Sequence, residues 1–137
     1  MKGDEWTEDA QRVASELSPK VKAMLSGRLK VEILPWVFSM EASFTLLLYD
    51  TQNPLTLVGI LLMGCGLDVP PKRWDALSCL AALHKRGWLT VQGEEYGLNP
   101  EARWTIYEIA GKGDRYGRWS ALHEWMRYHP AEPMAKD

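Results

Sequence analysis

This chain has little that would mark it as an enzyme, a metalloprotein or a membrane protein. It holds two cysteines, Cys65 and Cys79, in separate apolar, helix-like stretches and not in a Cys-x-x-Cys pair. They read as buried free thiols rather than a disulfide or a zinc framework. The three histidines, His84, His123 and His129, share no metal-ligand spacing. The glycine-rich "GKGDRYG" at 111–117 lacks the Walker pattern and follows no strand, so it reads as a hinge or turn. Glu94 and Glu95 lie at a turn tip, a poor place for a shielded general acid, and no serine or cysteine has an evident base beside it. Catalysis, a metal and a cofactor are therefore not expected.

Long hydrophobic runs are also missing. The longest, "LTLVGILLMGC" at 55–65, falls short of the ~20 residues that span a bilayer. The acidic start "MKGDEWTEDAQ" contains no apolar signal region, which makes a cytoplasmic protein the expectation. There is no basic excess either: 16 Lys and Arg stand against 18 Asp and Glu, a net charge of −2. No global field attracts a polyanion, so nucleic-acid binding would have to rest on a local patch. Repeats and low-complexity tracts are absent.

What remains is an ordinary globular balance, 46% hydrophobic and 25% charged over 137 residues, enough for one domain with a substantial core. Seven tryptophans promise buried aromatic area, contact surface, or both. Thr7 followed by Glu8 and Asp9 predicts a helix running to about Leu17. Ser18-Pro19 then restarts the chain as N-cap and first helical residue, with Gly27 as C-cap. "RLKVEIL" is open between strand and helix and ends at Pro35. From Met40 the pattern sharpens. Helices are predicted over "MEASFTLLLYD", over "LTLVGILLMGCG" after Asn53-Pro54, and over residues 72–86 up to Gly87. "WLTV" and "EYGL" flank a tight turn at Gln92-Gly93-Glu94. "NPEARWTIYEIA" opens with Asn99 as N-cap, and a final helix, "RWSALHEWMRYH", closes at Pro130.

Residues 55–103, "LTLVGILLMGCGLDVPPKRWDALSCLAALHKRGWLTVQGEEYGLNPEAR", resemble the winged helix-turn-helix superfamily, particularly its MarR-like and PadR-like regulators. The likeness lies in the "LT" helix start, the "GLD" turn, and a helix ending in leucine, three polar residues and glycine. "YGLNPEAR" is similar to the return from the wing, with Asn99 where threonine is usual and Ala102 where glycine is usual. The fold expected is mainly α with a small β-hairpin. It would be a winged helix-turn-helix at 40–104, flanked by helical extensions at 1–39 and 105–137.

In such a module the third helix presents its outer face to the major groove. Residues 72–86 carry four basic residues and one acidic residue, a local +3 and the most basic element of the chain. The candidate DNA contacts are Lys72, Arg73, Trp74 and Ser78, with Lys85 and Arg86 as auxiliary phosphate partners. Each has an ordinary structural alternative. Lys72 and Arg73 suit a solvated helix start, Trp74 suits packing on a neighbour, and Lys85 and Arg86 suit the helix dipole. The core face should be Ala76, Cys79 or Leu80, and Leu83.

Two features count against ordinary DNA binding. The wing tip is acidic, and between Ala42 and Leu67 the only charged residue is Asp50. So apolar a helix at 55–65 should be covered by flanking segments, a second copy or another protein. Trp119, Leu122, Trp125 and Met126 form an apolar stripe on the last helix, serving either intramolecular core or a dimer interface. The sequence thus supports a homodimeric DNA-binding transcriptional regulator acting on double-stranded DNA. Its alternative is a winged-helix module that binds a protein of the transcription or replication machinery and no DNA.

Overall fold

The computed structural model of the chain describes residues 2–33 and 37–131. Among them are six helices and one two-stranded antiparallel sheet. They run α1 (Lys2–Leu25), α2 (Val37–Thr51), α3 (Leu57–Cys65), α4 (Ala76–Arg86), β1 (Leu89–Gln92), β2 (Glu95–Leu98), α5 (Pro100–Ala110) and α6 (Arg115–Tyr128). The chain is mainly α with a small hairpin.

Short polar side chains set most helix starts, because the first N–H groups of a helix have no internal acceptor. Thr56 accepts from the Gly59 N–H, Asp75 from Ser78, Asn99 from Ala102 and Asp114 from Gly117. Gly87 ends α4 at φ 77°, where its N–H reaches His84 O. Gly93 takes φ 62° in the hairpin turn, which sets the register from Leu89 opposite Leu98 to Gln92 opposite Glu95.

Several boundaries differ from the sequence reading; α1 begins at Lys2 rather than Thr7, and α2 at Val37 rather than Met40. The break at Ser18-Pro19 is not there: α1 is one helix with Pro19 inside it. Its apolar stripe explains why. Ala10, Ala14, Val21 and Met24 are buried, with Leu17 half-buried between them, and α1 packs on α3 and α4. Proline inside a helix costs about 3 kcal/mol, while burying a single Val or Met side chain returns about 1.5–3 kcal/mol. A stripe that continues past the proline therefore outweighs the lost bond. The third helix begins at Ala76 instead of residue 72, because Asp75 takes the cap and the N–H groups of Arg73 and Trp74 turn back to Pro70 O. The last helix begins at Arg115, three residues before Arg118, because Asp114 caps it and draws Gly117 into its first turn. Residues 28–33 form neither helix nor strand, and the end expected at Pro35 lies outside the described residues.

One apolar cluster draws side chains from all six helices and the hairpin. In α2, Phe44 and Leu48 are buried, and that helix packs on α4 and α6. Phe44 stacks on Trp74 with ring centroids 5.6 Å apart. Gly64 makes room for this pair, since a Cβ there would lie 2.8 Å from the Trp74 ring. The apolar helix α3 is covered by a flanking segment, α1. Just before α3, Leu55 exchanges two backbone hydrogen bonds with Tyr96 of β2, at 2.9 and 2.8 Å. This adds a single bridging residue to the hairpin edge and fixes α3 against it.

Candidate nucleic-acid interface

The turn before α4 separates the sequence candidates. Lys72 and Arg73 are exposed on it. Trp74, next in the chain, is only 3% exposed and lies between Phe44 and Gly64, so packing claims it and leaves no face for a base. Its indole Nε1 has no partner there. On α4 itself Ser78 is half-buried, while His84 and Lys85 are exposed. The expected core face holds: Ala76, Cys79, Leu80 and Leu83 are all buried. Ala81 and Ala82 are buried as well, so the accessible part of α4 is narrow.

Arg86 is not available to a phosphate. Its Nε donates to Glu41 Oε2 at 2.8 Å, with the two side chains 5% and 0% exposed. Its Nη1 donates to His129 O, and its guanidinium lies 5.4 Å from the ring centroids of both Trp88 and Trp125. Trp88 stacks on Trp125, and Trp125 on His129. Arg86 is thus the centre of a cage tying α4, Trp88 just before β1, and α6 to α2. Glu41 Oε1 and Arg86 Nη2 have no partner. Burial, then the negative charges of Glu41 and Asp75, push the neighbouring Cys79 thiol well above its ordinary range. Nothing in the local sequence marks Glu41, since an acid in a helix is normally solvated and its partner comes 45 residues later.

With Arg86 spent internally, the exposed cations of this element are Lys72, Arg73 and Lys85. Asp75, whose carboxylate caps α4, is half-buried. At the hairpin tip Glu94 pairs with Lys22 of α1 at 3.1 Å, and Glu95 is exposed. That pair softens the negative charge of the tip without making it positive.

The stripe on α6 turns inward. Leu122 and Met126 are fully buried within the chain, where α6 packs on α2 and α5. Trp125 belongs to the Arg86 cage, and Trp119 is half-buried, stacked on His123 at 4.8 Å. Beside Trp119 a groove of about 400 Å³ runs between α2 and α6, floored by Leu46, Leu47 and Leu67 and rimmed by the Asp50–Arg118 ion pair. The sequence reading missed another aromatic pair, Trp104 and Tyr107, which stands exposed on α5. Their three-residue spacing was the signal available.

Among the described residues no group of three or more His, Cys, Asp or Glu side chains could hold a metal ion, and no helix is long and apolar enough to cross a membrane. Comparison with known family models, curated proteins and solved structures gives no significant match.

Proposed function

We propose that this chain is a DNA-binding transcriptional regulator of the winged-helix kind, working in the cytoplasm. It would set the turn before α4 and the accessible edge of α4 against the major groove and act by occupying an operator. The observation that carries the reading is the pair Lys72 and Arg73, exposed on the turn before α4 while their neighbours Trp74 and Asp75 are held by packing and capping. Two cations on a rigid turn, with Lys85 exposed at the far end of the helix, suit phosphate contact. The order of elements supports it: α2, the Leu55 bridge, α3, α4, then the hairpin, is the order of a winged helix.

The test is a titration against mixed-sequence duplex DNA at several salt concentrations. Wild type is expected to bind with an affinity that falls steeply with salt, and the Lys72→Glu, Arg73→Glu double variant to lose binding while melting unchanged. No binding at low salt would overturn the reading.

A second reading, a winged-helix module that binds protein and no DNA, is favoured by the buried Ala81 and Ala82 and the acidic hairpin tip. Under it the same double variant keeps its protein partner, which separates the two.

A further inference from the structure

The groove between α2 and α6 is charged at one end and apolar along the rest. Two contacts show that these helices run antiparallel. Asp50, in the last turn of α2, pairs with Arg118 in the first turn of α6 at 2.8 Å. Arg86 joins Glu41, near the start of α2, to the His129 carbonyl just past the end of α6. The first turn of α6 therefore lies beside the end of α2, and Arg115, Arg118 and Asp50 gather at one mouth of the groove. From there Leu47, Leu46 and Ser43 lead back along α2, with Leu67 and Trp119 completing the lining. Asp50 to Ser43 is a stretch of helix about 10 Å long. The groove's volume, about 400 Å³, falls in the range of small-molecule pockets.

The two arginines at the mouth differ. Arg118 is committed: its Nη2 donates to Asp50 Oδ1, its Nε donates to Ala110 O at 2.9 Å, and its guanidinium lies 5.9 Å from the Tyr49 ring centroid. Arg115 is exposed and has no hydrogen bond or ion pair among the described residues. Its chain neighbour Asp114 is turned to its own cap, accepting from the Gly117 N–H at 2.7 Å. Asp50 and Arg118 offset each other, so the mouth carries one uncompensated positive charge. We propose that the groove binds a straight-chain monocarboxylate, its head on Arg115 and its tail over Leu47, Leu46 and Leu67. A guanidinium grips a carboxylate through two parallel hydrogen bonds. One free guanidinium matches a head with a single negative charge, whereas a phosphate monoester would bring close to two. The leucines offer no donor or acceptor, so they select the tail by apolarity and length alone. An extended chain advances about 1.2 Å per bond, and the groove holds roughly eight carbons of tail.

The test is a calorimetric titration of the full chain with straight-chain carboxylates from butanoate to dodecanoate, and with the primary amides of the same lengths. No DNA is present, so failure of this site and failure of the DNA-binding reading are told apart. Binding is expected at one site per chain. Affinity should rise about threefold to fourfold per added methylene and level off near nonanoate, where the tail outgrows the groove. The amide of the same length should bind about fivefold more weakly than the acid. Arg115→Gln should erase that difference while leaving the affinity for the amide unchanged, and its exposed position leaves the melting midpoint where it was. No saturable binding of nonanoate, an acid that binds no better than its amide, an affinity that keeps rising through dodecanoate, or an acid preference that survives Arg115→Gln overturns the proposal.

Discussion

Arg86 and Glu41 meet across 45 residues of chain at 2.8 Å, and neither side chain keeps meaningful contact with solvent. The pair joins α4 to α2 inside the apolar cluster that both helices share. Removing one partner strands the other charge in the interior, so Arg86→Ala is expected to destabilise the fold by about 3–5 kcal/mol. Replacing both, Glu41→Leu with Arg86→Leu, should recover most of that loss, because the cost lies in the unpaired charge more than in the missing attraction. Urea denaturation of the two variants checks both statements.

Lys72 and Arg73 should behave in the opposite way. Neither is buried, so Lys72→Ala with Arg73→Ala should leave stability within about 0.5 kcal/mol of wild type. If each cation neutralises one phosphate, the slope of log affinity against log salt should become shallower by about 1.8. A loss of affinity with an unchanged slope would show that the two residues do not touch the backbone.

Gly64 tests the packing of Trp74. A Cβ would lie 2.8 Å from the ring, and the ring has Phe44 on its other side. Overpacking at such a site costs about 1–3 kcal/mol. Gly64→Ala should therefore lower the unfolding midpoint and change the tryptophan fluorescence of the native state.

Glu94 and Lys22 are both largely exposed, so Glu94→Lys should cost less than about 1 kcal/mol in stability. Its informative effect is on DNA. A hairpin tip lying near phosphate would gain affinity from the new positive charge, and the titration would show it directly.

Cys79 gives a pH dependence. Its thiol is pushed up from 9.0 by burial and by the negative charges of Glu41 and Asp75. Well below pH 9 both the folded and unfolded chains hold the proton, and the thiol costs nothing. As pH rises through the ordinary thiol range the unfolded chain releases its proton while the folded chain keeps it. Stability should fall with rising pH there, and Cys79→Ala should flatten that fall. Cys79 should also resist alkylation in the native state, while Cys65, only half-buried, reacts first.

Local rules made parts of this molecule readable from the residues. Asn99 before Pro100 marks the start of α5, Gly87 the end of α4, and Gly93 the hairpin turn, each through a conformation or cap that neighbouring residues dictate. Where the outcome depended on distant partners, the local reading failed. Pro19 looks like a helix start until the surfaces of α3 and α4 give the stripe on either side of it something to bury against. Lys72 and Arg73 look like a helical first turn until Asp75 takes the cap. Arg86 looks like a dipole partner on a solvated turn, because its true partner, Glu41, belongs to another helix. The candidate interface was legible to the extent that Lys72, Arg73 and Lys85 remain exposed. Trp74 and Arg86 left it through contacts that no spacing encodes.

Arg103 stands just after the hairpin returns and reaches back to the end of α2. Its Nη1 donates to Tyr49 O and its Nη2 to Gln52 O, both at 3.0 Å, while Asn99 Nδ2 donates to Gly87 O at 2.6 Å. These bonds make one rigid frame of the α2 terminus, the hairpin base and the start of α5. Load applied at the hairpin tip or on the α5 face would therefore be passed to α2 as a whole-body displacement rather than absorbed locally.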